Sequence, residues 1–133
     1  MKQGFNFCIF DFSGYGNSDG DSVTLGIEEV WDIEAVIKFL STKYNQKKFV
    51  LWGRSMGAVT ALLYLYHKRN EKHNIIGGIY DSPFYSLEKL TLELGSKNSG
   101  LPELMLKPLI FMLKNSLSSK IDFEKLELES RIR

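Results

Sequence analysis

The sequence predicts an α/β fold organised around a parallel sheet. Short apolar runs bounded by glycine, serine and aspartate occur at residues 5–12, 49–52 and 75–80. An amphipathic helical stretch separates the first two, and an almost wholly apolar one separates the last two. Strands joined by helices of this length pair in parallel through right-handed crossovers. The expected architecture is a mostly parallel three-stranded sheet flanked by helices.

The first element, FNFCIFDF at 5–12, reads as a buried strand, and GYGNSDGDS after it reads as a loop rich in glycine and serine. From Ile27 to Leu40 the apolar residues Ile27, Val30, Ile33, Ile37 and Leu40 recur at spacings of three and four. Glu28, Glu29, Asp32 and Lys38 lie off that stripe, with the acids in the first turn, where the helix dipole favours them. Residues 49–52 form the second expected strand. A helix from Ser55 to about Arg69 follows, apolar on nearly all sides and therefore central. IIGGIY at 75–80 is the third strand, closed by Asp81-Ser82-Pro83.

From Leu87 the chain reads as helical, with Pro102 and Pro108 as punctuation. LPELMLKPLIFML at 101–113 carries enough apolar bulk to cap something. The expected organisation is one domain with a core over residues 1–90 and a helical cap-like segment over 91–133. An exposed apolar tail of this kind favours self-association.

Length and charge narrow the function. A chain of 133 residues buries a single core. Seventeen basic residues against sixteen acidic ones, with no basic stripe, give no support for a nucleic-acid partner. Cys8 is the only cysteine, so no intramolecular disulfide can form; within FNFCIF it is expected to be a buried small hydrophobe. No stretch reads as a signal peptide or approaches the length of a bilayer span, and the expected location is the cytoplasm. No metal or cofactor is implied. Gly14, Gly16 and Gly20 are spaced G-x-G-x-x-x-G, one residue too long for a dinucleotide fingerprint, and no Walker lysine follows.

The informative pattern is Gly53-Arg54-Ser55-Met56-Gly57, between an expected strand and an expected buried helix. A tight strained turn there would push the serine hydroxyl out at the top of the sheet. Gly53 and Gly57 are expected to be needed because a side chain at either position would collide across the turn. The Met56 amide, at the helix N-terminus, would point where an oxyanion forms. The plainer alternative is a strand-to-helix turn with two convenient glycines and a capping serine.

Three blocks in this order resemble the α/β-hydrolases, in particular the serine aminopeptidase S33-like and depalmitoylase-like serine hydrolases: DFSGYGNSDGDSVTLG at 11–26, LWGRSMGAVTALLY at 51–64 and GGIYDSPFYSL at 77–87. The resemblance implies hydrolysis of an ester, thioester or amide through an acyl-enzyme, with a small-molecule acyl, ester or peptide substrate. By position, Ser55 matches the nucleophile, and Met56 matches the residue whose backbone amide supplies half the oxyanion hole. It also implies that the strand at 5–12 is fourth in the family's sheet, and that a third strand, absent here, belongs between it and the strand at 49–52. The chain is accordingly expected to be a central fragment of that fold, with the second oxyanion donor before Met1 and the catalytic acid and base after Arg133.

A serine hydroxyl needs a base to take its proton. His67 lies twelve residues beyond Ser55, about 18 Å along a helix, and His73 lies in the loop beyond. Neither is expected to reach. Asp81, at the end of the next strand, reads first, with Ser82, as a cap for a turn and helix near Pro83, and secondly as a candidate acid. Asp11 is expected to organise the Gly14–Gly16 loop. Two functional classes follow: a serine hydrolase incomplete in this chain, or a non-catalytic module that binds through its apolar tail.

Overall fold

The computed structural model describes residues 4–67, 74–99, 102, 106–108 and 111–112. Within them the chain forms α1 (Val30–Tyr44), β1 (Phe49–Arg54), α2 (Met56–His67), β2 (Ile75–Asp81) and α3 (Leu87–Ser99) in that order. The α/β class holds, with strands and helices alternating as the apolar runs require. The sheet is narrower than expected: β1 pairs in parallel with β2, and these are the two strands found among the described residues.

Helix α2 is apolar all round because it is packed from several sides. Ala58, Val59, Ala61, Leu63 and Tyr64 are buried, with Val30, Ile33 and Ile37 of α1 on one flank and Phe49, Leu51, Ile75 and Tyr80 of the sheet on the other. Tyr64 is 1% exposed, and its hydroxyl donates to Glu34 Oε2 at 2.8 Å. That bond removes the cost of burying the phenol oxygen.

The register is Phe49↔Ile75, then a shift, then Val50↔Gly77 through to Arg54↔Asp81. The extra residue, Ile76, lets Leu51, Gly53, Gly78 and Tyr80 share the face that meets α2. Val50, Trp52, Arg54, Ile79 and Asp81 take the other. No described helix covers that second face, and Trp52 is 67% exposed. Parallel strands are ordinarily covered on both faces, so among the described residues this is an apolar face left bare.

Residues 5–12 correct the sequence reading. They form no ladder, although Phe7 comes within a ring-centroid distance of 6.4 Å of Trp52. A strand exists only by pairing, and residues 5–12 take part in no hydrogen-bonded ladder among the described residues. Phe5, Phe7 and Ile9 are consequently exposed, Ile9 at 92%, and Cys8 is exposed rather than buried.

Helix α1 starts three residues later than its apolar stripe suggests. Leu25 and Gly26 have φ of 59° and 119°, and Glu29 folds back on the turn they make, which holds Ile27 and Glu28 outside the helix. At its other end Asn45 is left-handed and its N–H returns to the Leu40 carbonyl. The helix after β2 begins at Leu87 rather than near Pro83. Ser86, not Asp81 or Ser82, holds its first turn: the Ser86 carbonyl accepts from Leu90 N–H at 3.1 Å.

Leu106 is buried close to Gly95 of α3, while Phe111 and Met112 are exposed. Leu101, Leu104, Leu109, Ile110, Leu113 and the remainder of the expected cap lie outside the described residues, as does His73. Among the described residues no helix is long and apolar enough to cross a membrane.

Candidate active site

Ser55 stands alone between the last residue of β1 and the first of α2, with φ of 50°. A left-handed conformation costs a residue with a Cβ about 1–2 kcal/mol, so the surroundings must enforce it. Its N–H donates to the Asp81 carbonyl at 2.9 Å, across from the end of one strand to the end of the other. Its own carbonyl accepts from both Ala58 N–H, at 3.0 Å, and Val59 N–H, at 3.1 Å. The turn is fixed from behind and from ahead.

The two flanking glycines are not equivalent. A Cβ on Gly53 would collide with the Gly57 carbonyl and the Ala58 amide, which is the collision the sequence suggested. A Cβ on Gly57 would meet nothing within 4 Å, and that half of the expectation is corrected. Gly57 lies in the first turn of α2, where its α-hydrogens face open space.

Met56 opens α2 and is held at two points. Its carbonyl accepts from the Thr60 hydroxyl at 2.8 Å, and its thioether sulfur accepts from the Tyr15 hydroxyl at 3.1 Å. Among the described residues the Met56 and Gly57 amides have no hydrogen-bond acceptor, as first-turn amides do when no side chain caps them. N–H groups at the positive end of a helix favour negative charge.

The loop before α1 holds a buried carboxylate that sequence reasoning missed. Glu29 is 3% exposed and accepts from Thr24 N–H at 2.7 Å, the Thr24 hydroxyl at 2.6 Å and Gly26 N–H at 2.8 Å. Burial resists its ionisation, but the bonds from Thr24 and Gly26 outweigh that and hold its carboxyl below the ordinary glutamate value. The loop so fixed puts Gly26 against Thr60 and Val59 of α2. Tyr15, whose phenol is pushed up by burial and by the Glu29 charge, was missed too. Its placement between Gly14 and Gly16 was the signal available.

Asp11 organises the glycine loop as expected: its carboxylate accepts from Asn17 N–H at 3.2 Å and fills the space beside Gly16. Asp81 points its carboxylate at Ser82 Oγ, 2.8 Å away, and at Arg54 Nε, 3.5 Å away, in a pair that is largely exposed. His67 closes α2, with its ring against Tyr66, at the end remote from Ser55. Among the described residues no group of three or more histidine, cysteine, aspartate or glutamate side chains is placed to hold a metal ion.

A family model described as serine aminopeptidase, S33, matches residues 1–126. The uncharacterized protein YqkD of Bacillus subtilis (strain 168) is 40% identical over 65 residues, which cover 48% of this chain and 21% of YqkD. The uncharacterized membrane protein YNL320W of Saccharomyces cerevisiae is 35% identical over 89 residues, covering 65% of this chain and 30% of that protein. The matched stretches thus cover under a third of the length of either relative. No solved structure matches.

Proposed function

We propose, from the premise that this chain belongs to the serine aminopeptidase S33 family of α/β-hydrolases, that Ser55 is the nucleophile of a serine hydrolase acting on esters, thioesters or amides. The observation that carries the reading is the left-handed Ser55 at the strand-to-helix turn, followed by amides that lack acceptors. Such a turn is a nucleophile elbow: strain holds the hydroxyl clear of the sheet while the helix offers its first N–H groups to the same space. Attack by Ser55 Oγ on an acyl carbon would put the new oxyanion beside the Met56 amide, the first oxyanion donor.

The elbow alone does not make a triad. His67 is about 18 Å along α2 from Ser55, so the proton of Ser55 has no imidazole to receive it among the described residues. We assign the base and the second oxyanion donor to parts of a longer protein. Asp81 serves the elbow first through its carbonyl; its carboxylate, held by Arg54 and Ser82, is the candidate acid of this chain.

The test is a fluorophosphonate probe followed by mass analysis of the labelled peptide. The 133-residue chain is expected to label slowly and only at Ser55, with Ser55→Ala unlabelled and still folded. The same residue in a longer protein carrying the missing segments is expected to label fast and turn over a short acyl ester. Labelling that persists in Ser55→Ala would overturn the assignment. A longer protein that stays inert would favour the second reading, a non-catalytic module.

A further inference from the structure

We infer that Tyr15 is a positioning residue for Met56: its hydroxyl pins the thioether and so keeps the unpaired Met56 amide aimed beside Ser55. The inference rests on the nucleophile reading for its consequence, but not for its geometry.

Methionine has three rotatable side-chain bonds, so the Met56 side chain at the opening of α2 is poorly fixed by itself. Here it is fixed at both ends. The Thr60 hydroxyl takes the Met56 carbonyl and the Tyr15 hydroxyl takes its sulfur, leaving the N–H as the one polar group of Met56 without a described partner. A thioether is a weak acceptor, so this contact is a modest return for a phenol that the fold has gone to some length to deliver.

The length is visible in the loop. Tyr15 sits between Gly14 and Gly16, with φ of 76° and 55°, at positions where a Cβ would strike the Ser22 carbonyl and the Asp11 carboxylate. Ser13 donates through both N–H and hydroxyl to Asp32 of α1, each at 2.8 Å. Ser18 Oγ donates to the Asp11 carbonyl at 2.8 Å, and Ser18 N–H to the Tyr15 carbonyl at 2.9 Å. A backbone so determined behaves as a rigid platform, and Tyr15 is the side chain it sends 41 residues along the chain to α2.

The test uses the 133-residue chain with methionine methyl groups labelled with carbon-13. Four methionines give four methyl signals, and Met56→Leu identifies that of Met56. Tyr15→Phe keeps the ring and removes only the hydroxyl. It is expected to move the Met56 methyl and amide signals, leave the other three methyls in place, and slow fluorophosphonate labelling of Ser55 about threefold to tenfold, the scale of one lost hydrogen bond. In a Met56→Leu background the same change is expected to have no further effect on labelling. An unmoved Met56 amide in Tyr15→Phe overturns the inference, whatever happens to melting temperature. If the parent chain never labels at Ser55, the nucleophile reading falls by itself, and the Met56 amide signal still decides whether Tyr15 positions it.

Discussion

Ser55 hangs from Asp81: the amide of the first donates to the backbone carbonyl of the second at 2.9 Å, where β1 and β2 end side by side. Both strands then turn through a left-handed serine, Ser55 at φ 50° and Ser82 at φ 53°. The arrangement ties the strained turn to main chain, not to a side chain.

It follows that Asp81→Asn leaves the turn intact. The exposed Arg54 pair contributes at most about 1 kcal/mol, so chemical denaturation should shift little. Fluorophosphonate labelling of Ser55 separates the two roles of Asp81 in a longer, active protein. An unchanged rate leaves it the anchor of the turn, whereas a fall of about 10⁴-fold makes it the catalytic acid.

Ser55→Gly is expected to stabilise the chain by about 1 kcal/mol while abolishing labelling, because glycine adopts the left-handed turn without a Cβ penalty. Ser82→Gly should stabilise similarly and leave labelling alone. Loss of stability in Ser55→Gly, measured by urea unfolding, would show that the turn stores no strain.

Gly53→Ala and Gly57→Ala are predicted to diverge. The first drives a methyl into the Gly57 and Ala58 backbone and should cost about 1–3 kcal/mol, with loss of labelling. The second meets open space in a helical turn and should lie within about 1 kcal/mol of the parent, on the stabilising side. Equal melting temperatures for the two variants would contradict the packing at the turn.

Glu29 gives the fold an acid-sensitive joint. Its folded-state pKa lies below the unfolded one, so the ionised form adds stability above the ordinary glutamate range. That stability drains as pH falls through the range toward the lowered folded value. Glu29→Gln should destabilise the chain at neutral pH by about 1–3 kcal/mol, through weaker bonds to Thr24 and Gly26. It should also flatten the acid limb of a stability-against-pH curve. A variant whose curve runs parallel to that of the parent would mean that other carboxylates govern the acid limb.

The bare face of the sheet should make the chain adhesive. Trp52, Val50 and Ile79, with Phe7 alongside, present apolar surface that binds a hydrophobic dye or a second copy. Trp52→Lys is expected to lower dye fluorescence and the apparent mass in sedimentation. A parent chain that is monomeric and binds no dye would remove this expectation.

The sequence by itself determined the elements whose identity is local. The apolar runs of β1 and β2, the all-round apolar α2 and the stripe of α1 are periodicities that only a strand or a helix can bury. The Ser55 turn was legible for the same reason: glycine at 53, serine at 55 and a helix at once afterwards leave few backbone paths. What tertiary structure decided was everything that depends on a neighbour. FNFCIF has the composition of a strand, but pairing is supplied by another chain segment, and without one it lies exposed with Cys8. Gly57 resembled Gly53 in the motif, yet whether a Cβ fits is set by atoms that fold against it, and those surround only Gly53. The roles of Tyr15 and Glu29 were hidden because a hydroxyl's acceptor 41 residues away, and a carboxylate turned back on its own loop, leave no period in the sequence.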